Sequence, residues 1–348
     1  MNFILKEDLD QIIKSNQLFY PLEGKTIFIT GGTGLIGSLI AKSILNYNRK
    51  AIKKINLILL CRNSKKVESI FEDYISKTPE LNICLQYIND ELQLDGPVDY
   101  IIHTASITSS AQFVKEPVET ILTMVQGCKN ILKFAYEKRV CSFVYLSSLE
   151  VYGIPFEENQ ISLFSENNFG YLDPCKVRSS YPEAKRLAES LCISYFSQYN
   201  VPVKIVRLCQ TFGPGVSYND SRVFAEFARC AIEGKNIELH TKGETVRNYC
   251  YTMDAVSGIL KILLEGMDGQ PYNLANKNAV VSIKEMAEIA KELSEFPIEI
   301  KYIIDGCDRG YNPEMKLVLT TEKAEDLGWK AETGMKAMMK RLIASMKA

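Results

Sequence analysis

The chain has 348 residues, enough to bury one large core or two modest ones. Hydrophobic residues make up 46%, charged residues 24%, and the net charge is −1, so nothing favours nucleic acid or an anionic membrane as a partner. No apolar run is long enough to span a bilayer, and the opening Met1–Asp8 lacks the basic start of a signal peptide.

Residues 1–24 read as a short amphipathic helix, with Leu5, Leu9, Ile12 and Ile13 on one side, and a connector ending at Gly24. From Lys25 onward, strand-like runs at 26–30, 56–60, 82–87, 99–103, 141–147 and 203–207 alternate with helical patterns at 35–48, 65–76, 112–137 and 182–199. Such alternation predicts an α/β fold of Rossmann type, a doubly wound parallel sheet with helices on both faces, over residues 25–207. After Arg207 a Gly-Pro-Gly turn at 213–215 leads into helices near 222–233, 253–265, 282–294 and 333–346. Residues 208–348 therefore read as mainly a smaller mixed α/β domain for substrate, with 253–275 returning to the first domain. Ligands in such folds bind at the carboxyl edge of the sheet.

The loop Thr30-Gly31-Gly32-Thr33-Gly34-Leu35-Ile36-Gly37 follows the first strand and opens a helix. Glycines at 31, 34 and 37 permit a tight turn and bring backbone N–H groups against a pyrophosphate, with the positive end of the helix behind them. Gly31, Thr33, Gly34, Leu35, Ile36 and Gly37 are thus candidate cofactor contacts. At the end of the second strand Arg62-Asn63 stands where an NAD site usually has an acid, and a cation there suits the 2′-phosphate of NADP. NADP or NAD is the expected cofactor, with Arg62 favouring NADP; a solvated basic loop is the plain alternative. Asp90, after the third strand, faces the adenine edge in this reading, and Ala105, after the fourth, borders the ribose. His103 could serve as a base, although its place in a buried strand fits a core histidine better.

Tyr181 and Lys185 stand four apart in Ser180-Tyr181-Pro182-Glu183-Ala184-Lys185, so a helix puts both on one side. A phenol with a pKa of about 10 is a poor base until nearby cations stabilise its anion. Ser180 with Glu183 also fits a capping box. The strand ending Leu146-Ser147-Ser148-Leu149-Glu150 offers Ser148 to orient a substrate alcohol toward Tyr181. Glu150 fits an acid or base on a neighbouring carbon, or a partner for a surface cation. Ten cysteines include no Cys-x-x-Cys pair, and His103 and His240 are the only histidines. This argues against a disulfide framework and against a metal centre, and for reduced thiols in a cytoplasmic protein.

Gly31-x-x-Gly34-x-x-Gly37, Ser148-x-Glu150-Val151-Tyr152-Gly153, Tyr181-x-x-x-Lys185, Arg207 with Phe212-Gly213-Pro214, and Arg247 before Tyr251-x-x-Asp254 occur in this order. As a set they resemble the extended short-chain dehydrogenase/reductase family, the NAD(P)-dependent nucleotide-sugar epimerases and dehydratases. The resemblance runs from about Lys25 to Trp329. It implies hydride removal from C4 of a sugar on a nucleoside diphosphate, with Tyr181 taking the 4-hydroxyl proton, Ser148 sharing it and Lys185 holding the nicotinamide ribose. It also implies Arg247, Arg222 and Arg309, in that order, as candidates for the substrate diphosphate, and a homodimer formed through 112–137 and 182–199.

Ser-x-Glu-Val-Tyr-Gly and Tyr181-Pro182-Glu183-Ala184-Lys185-Arg186 are similar to UDP-glucuronate decarboxylases and sugar-nucleotide 4,6-dehydratases. Dehydratases often carry an Asp where Leu149 stands, and decarboxylases a small polar residue. Met124 and Gln210 each replace an Asn common in the family. The expected outcomes are decarboxylation, dehydration or epimerisation through a 4-keto intermediate. The alternatives are an NADPH-dependent reductase of a nucleotide-linked ketosugar or ketose, and a non-catalytic cofactor sensor.

Overall fold

In a computed structural model the described residues are 2–75, 77–107, 110–156, 160–304 and 314–347. The first half runs α1 (Phe3–Ile12), β1 (Thr26–Thr30), α2 (Leu35–Asn48), β2 (Asn56–Cys61), α3 (Ser64–Phe71), β3 (Leu81–Leu85) and β4 (Tyr100–His103). It continues with α4 (Ser110–Lys115), α5 (Pro117–Lys138), β5 (Ser142–Ser148), β6 (Ser162–Phe164), α6 (Ser180–Tyr199) and β7 (Val203–Leu208). Next come β8 (Gln210–Phe212), α7 (Val223–Glu233), β9 (Ile237–Leu239), β10 (Val246–Tyr251), α8 (Thr252–Glu265) and β11 (Gln270–Leu274). The chain closes through β12 (Val280–Ser282), α9 (Ile283–Glu292), β13 (Ile300–Tyr302), β14 (Lys316–Leu319), α10 (Glu322–Glu325) and α11 (Met335–Lys347).

Seven parallel strands form the main sheet in the order β11-β7-β5-β4-β1-β2-β3. Its strands are apolar on both faces because helices cover both. Ile27 and Ile29 of β1 join a core with Leu39 and Ile40 of α2 and Ile259 of α8. Phe28, between them, points the other way, into a core with Ile131 and Leu132 of α5 and Ala188 of α6. Strand order reverses between β1 and β4, so a crevice opens beyond the carboxyl ends of these two neighbours.

The expected helix at 112–137 is two helices, α4 and α5, parted at Glu116. A residue before proline is pushed out of the helical region, and Pro117 then starts α5 at the position where its missing N–H costs nothing. The expected helix at 65–76 spans Ser64–Phe71 only, capped at its start by the Asn63 side chain.

The second body rests on a sheet ordered β12-β10-β14-β6, with β8 paired to β10, and a separate β9–β13 pair. Between β10 and β12 the chain goes back: α8 packs on β5 and β7, and β11 adds to the outer edge of β7. No helix of the described residues is long and apolar enough to cross a membrane.

A buried ion pair ties these layers behind the crevice. Arg207 of β7 meets Glu189 of α6 at 2.8 Å, both less than a tenth exposed. Glu189 also accepts from the Ser147 hydroxyl at 2.6 Å, and Arg207 donates to the Tyr152 hydroxyl at 3.0 Å and the Glu166 carbonyl at 2.8 Å. Tyr152 in turn donates to Asn273 of β11 at 2.6 Å. Burial works against the guanidinium's charge, but Glu189 outweighs it and holds Arg207 above its usual pKa. Removing one partner leaves the other charge buried and unpaired. Arg207→Ala should therefore cost about 3–5 kcal/mol in urea unfolding, and a loss below about 1 kcal/mol would show that the pair is not the tie.

Candidate active site

The crevice is lined first by the loop after β1. Gly31 has φ +69°, and a Cβ there would stand 2.8 Å from both the N and the Cα of Ala105. A Cβ on Gly37 would stand 2.5 Å from the Gly31 carbonyl oxygen and 2.9 Å from Thr104 Oγ1. Only glycine lets these backbones close on each other. Thr30 fixes the same corner: its hydroxyl accepts from Ala105 N at 3.2 Å and lies 2.6 Å from His103 Nδ1. Gly34 donates to the Gly31 carbonyl at 2.8 Å and precedes α2 with no side-chain cap. The first-turn N–H groups of Leu35 and Ile36 have no intrahelical acceptor and face the crevice end of the helix, which suits an anion. Gly31 and Gly32 both direct their N–H groups to the Leu60 carbonyl of β2, at 3.1 Å and 3.4 Å. The cradle fits the pyrophosphate of a dinucleotide.

The other expected cofactor residues sit around the same sheet edge. Arg62 directly follows β2, exposed and without a hydrogen bond or ion pair among the described residues. Asn63 caps α3 by accepting from Lys66 N at 3.0 Å. Asp90 lies exposed in the turn beyond β3, where its carbonyl accepts from Asn130 Nδ2 at 3.3 Å. His103 is buried, and burial, helped by nearby Lys185, pushes its imidazole down to about 3. It is a neutral core histidine bonded to Thr30.

The structure brings Ser148, Glu150, Tyr181 and Lys185 together. Ser148 ends β5, where its hydroxyl caps the 3₁₀ turn Leu149–Tyr152 by accepting from Glu150 N at 3.2 Å. The same hydroxyl hydrogen-bonds to Tyr181, in the first turn of α6. Tyr181 is 7% exposed and Lys185 2%. Burial, then the nearby Glu150 carboxylate, raise the Tyr181 phenol well above its ordinary value, with the Ser148 hydrogen bond and Arg178 pulling the other way. The sequence leads one to expect lowering by Lys185. Here Lys185 Nζ donates to the Leu146 carbonyl at 2.8 Å and lies 5.9 Å from the Tyr181 ring centroid, so burial prevails. No capping box forms at this helix start: the Ser180 hydroxyl donates to the Phe113 carbonyl at 3.2 Å.

Two residues the sequence does not single out complete the site. Arg178 Nη2 donates to both oxygens of Glu150 at 2.9 Å, and its guanidinium lies 5.0 Å from the Phe113 ring centroid. Phe113 stacks on Tyr181, 4.3 Å between centroids and 11° from parallel. Met124 packs in the same small cluster and accepts from the Ser106 hydroxyl at 3.3 Å. Leu149 is buried.

The candidate anion ligands differ in what is left to offer. Arg222, just before α7, has its Nε and Nη2 on Asp220, at 3.0 Å and 2.7 Å. Arg247 lies buried on β10 with Nη2 3.2 Å from the Met315 sulfur and its Nε buried without a partner among the described residues. An orphaned buried guanidinium N–H is costly unless something accepts from it. Arg309 lies outside the described residues.

A model of the NAD dependent epimerase/dehydratase family matches residues 27–275. The chain belongs to that family. It is 33% identical over 305 residues to a UDP-glucuronic acid decarboxylase of Arabidopsis thaliana, covering 87% of this chain and 84% of the relative. Among solved structures, the UDP-glucose 4-epimerase of Thermotoga maritima with UDP-glucose superposes with a TM-score of 0.76 at 20% identity, over 92% of this chain and 98% of that one. A dTDP-glucose 4,6-dehydratase of Streptomyces venezuelae with NAD bound gives 0.75 at 21% identity, over 92% and 97%. At such identities the structures establish the fold, which is shared nearly end to end. The chain is an enzyme of the family and uses a nicotinamide dinucleotide.

Lys185 gives the cofactor-free site a pH signature. Burial lowers its ammonium to about 8, against the pull of Cys128, Glu189 and Cys192. In the unfolded chain it titrates near 10.4. Between these values the unfolded state binds a proton that the folded state does not, so stability rises with pH across the window. Buried thiols such as Cys61 and Cys192, held above their ordinary values, lower stability over the same range. It is therefore the melting temperature of the cofactor-free wild type, relative to that of Lys185→Met, that should climb from pH about 8 to about 10. Equal slopes in the two proteins would refute the assignment.

Proposed function

We propose that the enzyme decarboxylates a nucleoside-diphosphate hexuronate, the class to which UDP-glucuronate belongs, through a transient ketone at C4. The observation that carries this choice is the Arg178–Glu150 pair beside Tyr181, next to buried Leu149. With both oxygens of Glu150 accepting from a guanidinium and Leu149 unable to ionise, the site offers no acid to expel a 6-hydroxyl. Loss of a C6 carboxylate requires none. Identity to a UDP-glucuronic acid decarboxylase over most of the chain supports the same reading.

In this mechanism the Gly31–Gly37 cradle and the first turn of α2 hold the dinucleotide's phosphates, and Lys185 its nicotinamide ribose. Bound there, the dinucleotide supplies one thing, reversible acceptance of hydride from C4. Tyr181 removes the 4-hydroxyl proton, with Ser148 bridging the two oxygens. Burial opposes the phenolate, so Tyr181 becomes a base only when positive charge is close to it. Once C4 is a ketone, the C5–C6 bonding electrons pass toward the C4 oxygen as carbon dioxide leaves. Tyr181 and Ser148 hydrogen-bond that oxygen while C5 takes a proton from water in place of the lost carboxylate. Hydride return then leaves a pentose on the nucleotide, with no net redox change. The free Nε of Arg247 receives the substrate diphosphate, and Arg222 serves it only by releasing Asp220. Arg62, exposed and unpaired among the described residues, favours NADP over NAD by offering its fork to a 2′-phosphate.

The enzyme incubated with UDP-glucuronate and catalytic NADP or NAD should release carbon dioxide and form a UDP-pentose without consuming dinucleotide. Tyr181→Phe should lower kcat by about 10²–10⁴ while still binding the dinucleotide. Stoichiometric consumption of reduced dinucleotide, or product retaining C6, would overturn the proposal.

We also propose a homodimer through α5 and α6. Val118, Ile121 and Leu122 form an exposed apolar stripe on α5, and Leu187 and Ile193 continue it on α6. Val118, Ile121 and Leu122 stand at the three- and four-residue spacing of one helix face. Sedimentation should give a dimer that Leu122→Asp converts to monomer; a wild-type monomer would rule this interface out.

A further inference from the structure

α1 lies outside the stretch matched by the family model, yet it carries a carboxylate that is only 7% exposed. Asp8 Oδ2 accepts from the Tyr251 hydroxyl at 2.5 Å, and Oδ1 accepts from Arg341 Nη2 at 2.7 Å. Arg341 Nε closes the ring by donating to the Tyr251 oxygen at 2.8 Å. Three elements far apart in the chain, α1, the end of β10 and α11, thus meet on one phenol. Arg341 also donates to the Ile4 carbonyl and to Glu7, both at 3.2 Å, and Asn2 donates to the Ser345 carbonyl at 2.7 Å.

A terminal helix pinned to the surface would explain added stability and nothing more. The position of Tyr251 goes further. It is the last residue of β10, pairs in register with Phe212 of β8, and immediately precedes α8. Its ring lies against the 213–215 turn: a Cβ on Gly213 would come within 2.7 Å of Tyr251 Cε2. The other end of that turn rests on the dinucleotide helix, where a Cβ on Gly215 would stand 3.2 Å from Leu35 Cδ1. Arg247, with its unpaired Nε, is four residues upstream on the same strand. α1 also grips α2 directly. Asn46 Nδ2 donates to the Leu9 carbonyl at 3.0 Å and to Asp10 Oδ1 at 3.1 Å, and Lys50 Nζ donates to the Ile13 carbonyl at 2.8 Å.

We infer that Asp8 is a positioning residue: through Tyr251 it sets β10 and the 213–215 turn against the dinucleotide helix, and so places Arg247. The last step rests on the diphosphate role proposed for Arg247; the rest does not. Without Asp8, the Tyr251 hydroxyl and the Arg341 guanidinium face each other with no common acceptor. The phenol then loses the anchor that fixes the strand end, although Arg247 itself is untouched.

The test uses the full chain with its dinucleotide, as wild type, Asp8→Ala, Asp8→Asn and Tyr251→Phe. Hydrogen exchange is followed peptide by peptide, and UDP affinity is measured by calorimetry. In Asp8→Ala and Tyr251→Phe, exchange in 210–215 and 246–251 should rise about tenfold, and UDP should bind about tenfold more weakly. Asp8→Asn, which keeps an acceptor for the phenol, should recover most of both effects. If Asp8→Ala does not fold, Tyr251→Phe removes only the hydroxyl and decides alone. Faster exchange confined to 3–12 and 335–347, or UDP affinity unchanged while β10 loosens, would overturn the inference. Failure of the wild type to bind UDP would instead defeat the proposed substrate, while the exchange pattern still decides whether Asp8 sets the strand.

Discussion

Burial is the constraint around which this site is organised. Tyr181 and Lys185 sit on the first turns of α6, each nearly sealed from water, and both are driven toward their uncharged forms. A charged group in such surroundings needs a specific partner, because solvent cannot supply one. The neighbouring groups can be understood as those partners. The Leu146 carbonyl accepts from the ammonium, the Ser148 hydroxyl meets the phenol, and Arg178 pairs with the carboxylate that opposes its ionisation.

The parts legible in the sequence are those fixed by local geometry. The glycines at 31 and 37 are demanded by backbone contacts within a few ångströms, and Tyr181 with Lys185 by the pitch of one helix. The alternation of strands and helices likewise follows from burial on both faces of the sheet. Arg178 and Phe113 escape such reading because their significance lies in contacts across 28 and 68 residues, which no local pattern reports. The strands β6, β8, β12 and β14 have only three or four residues each, too few for an alternating pattern to stand out. The break at Glu116 was encoded plainly in Pro117, but the apolar spacing continued across it and hid it.

Arg222 and Arg247 illustrate why residue type alone does not define a ligand. Both are arginines in the second body, and the sequence offers no way to separate them beyond family position. In the folded chain one has a carboxylate two residues away that occupies its fork, while the other is buried with a donor left over. The difference is one of hydrogen-bond accounting, and it appears only in the folded chain.

The return of the chain to the main sheet has a consequence for how the protein is made. β7 lies inside the finished sheet because β11 covers its outer edge, and β11 begins only at residue 270. During synthesis, more than sixty residues separate the end of β7 from the strand that covers it, and they include β8, β9 and β10. Until they have emerged, β7 presents an apolar strand with an unpaired row of N–H and C=O groups, the kind of edge that recruits other chains. The vulnerable interval in the life of this enzyme is therefore set by its topology, and it falls on the ribosome, before any ligand can help.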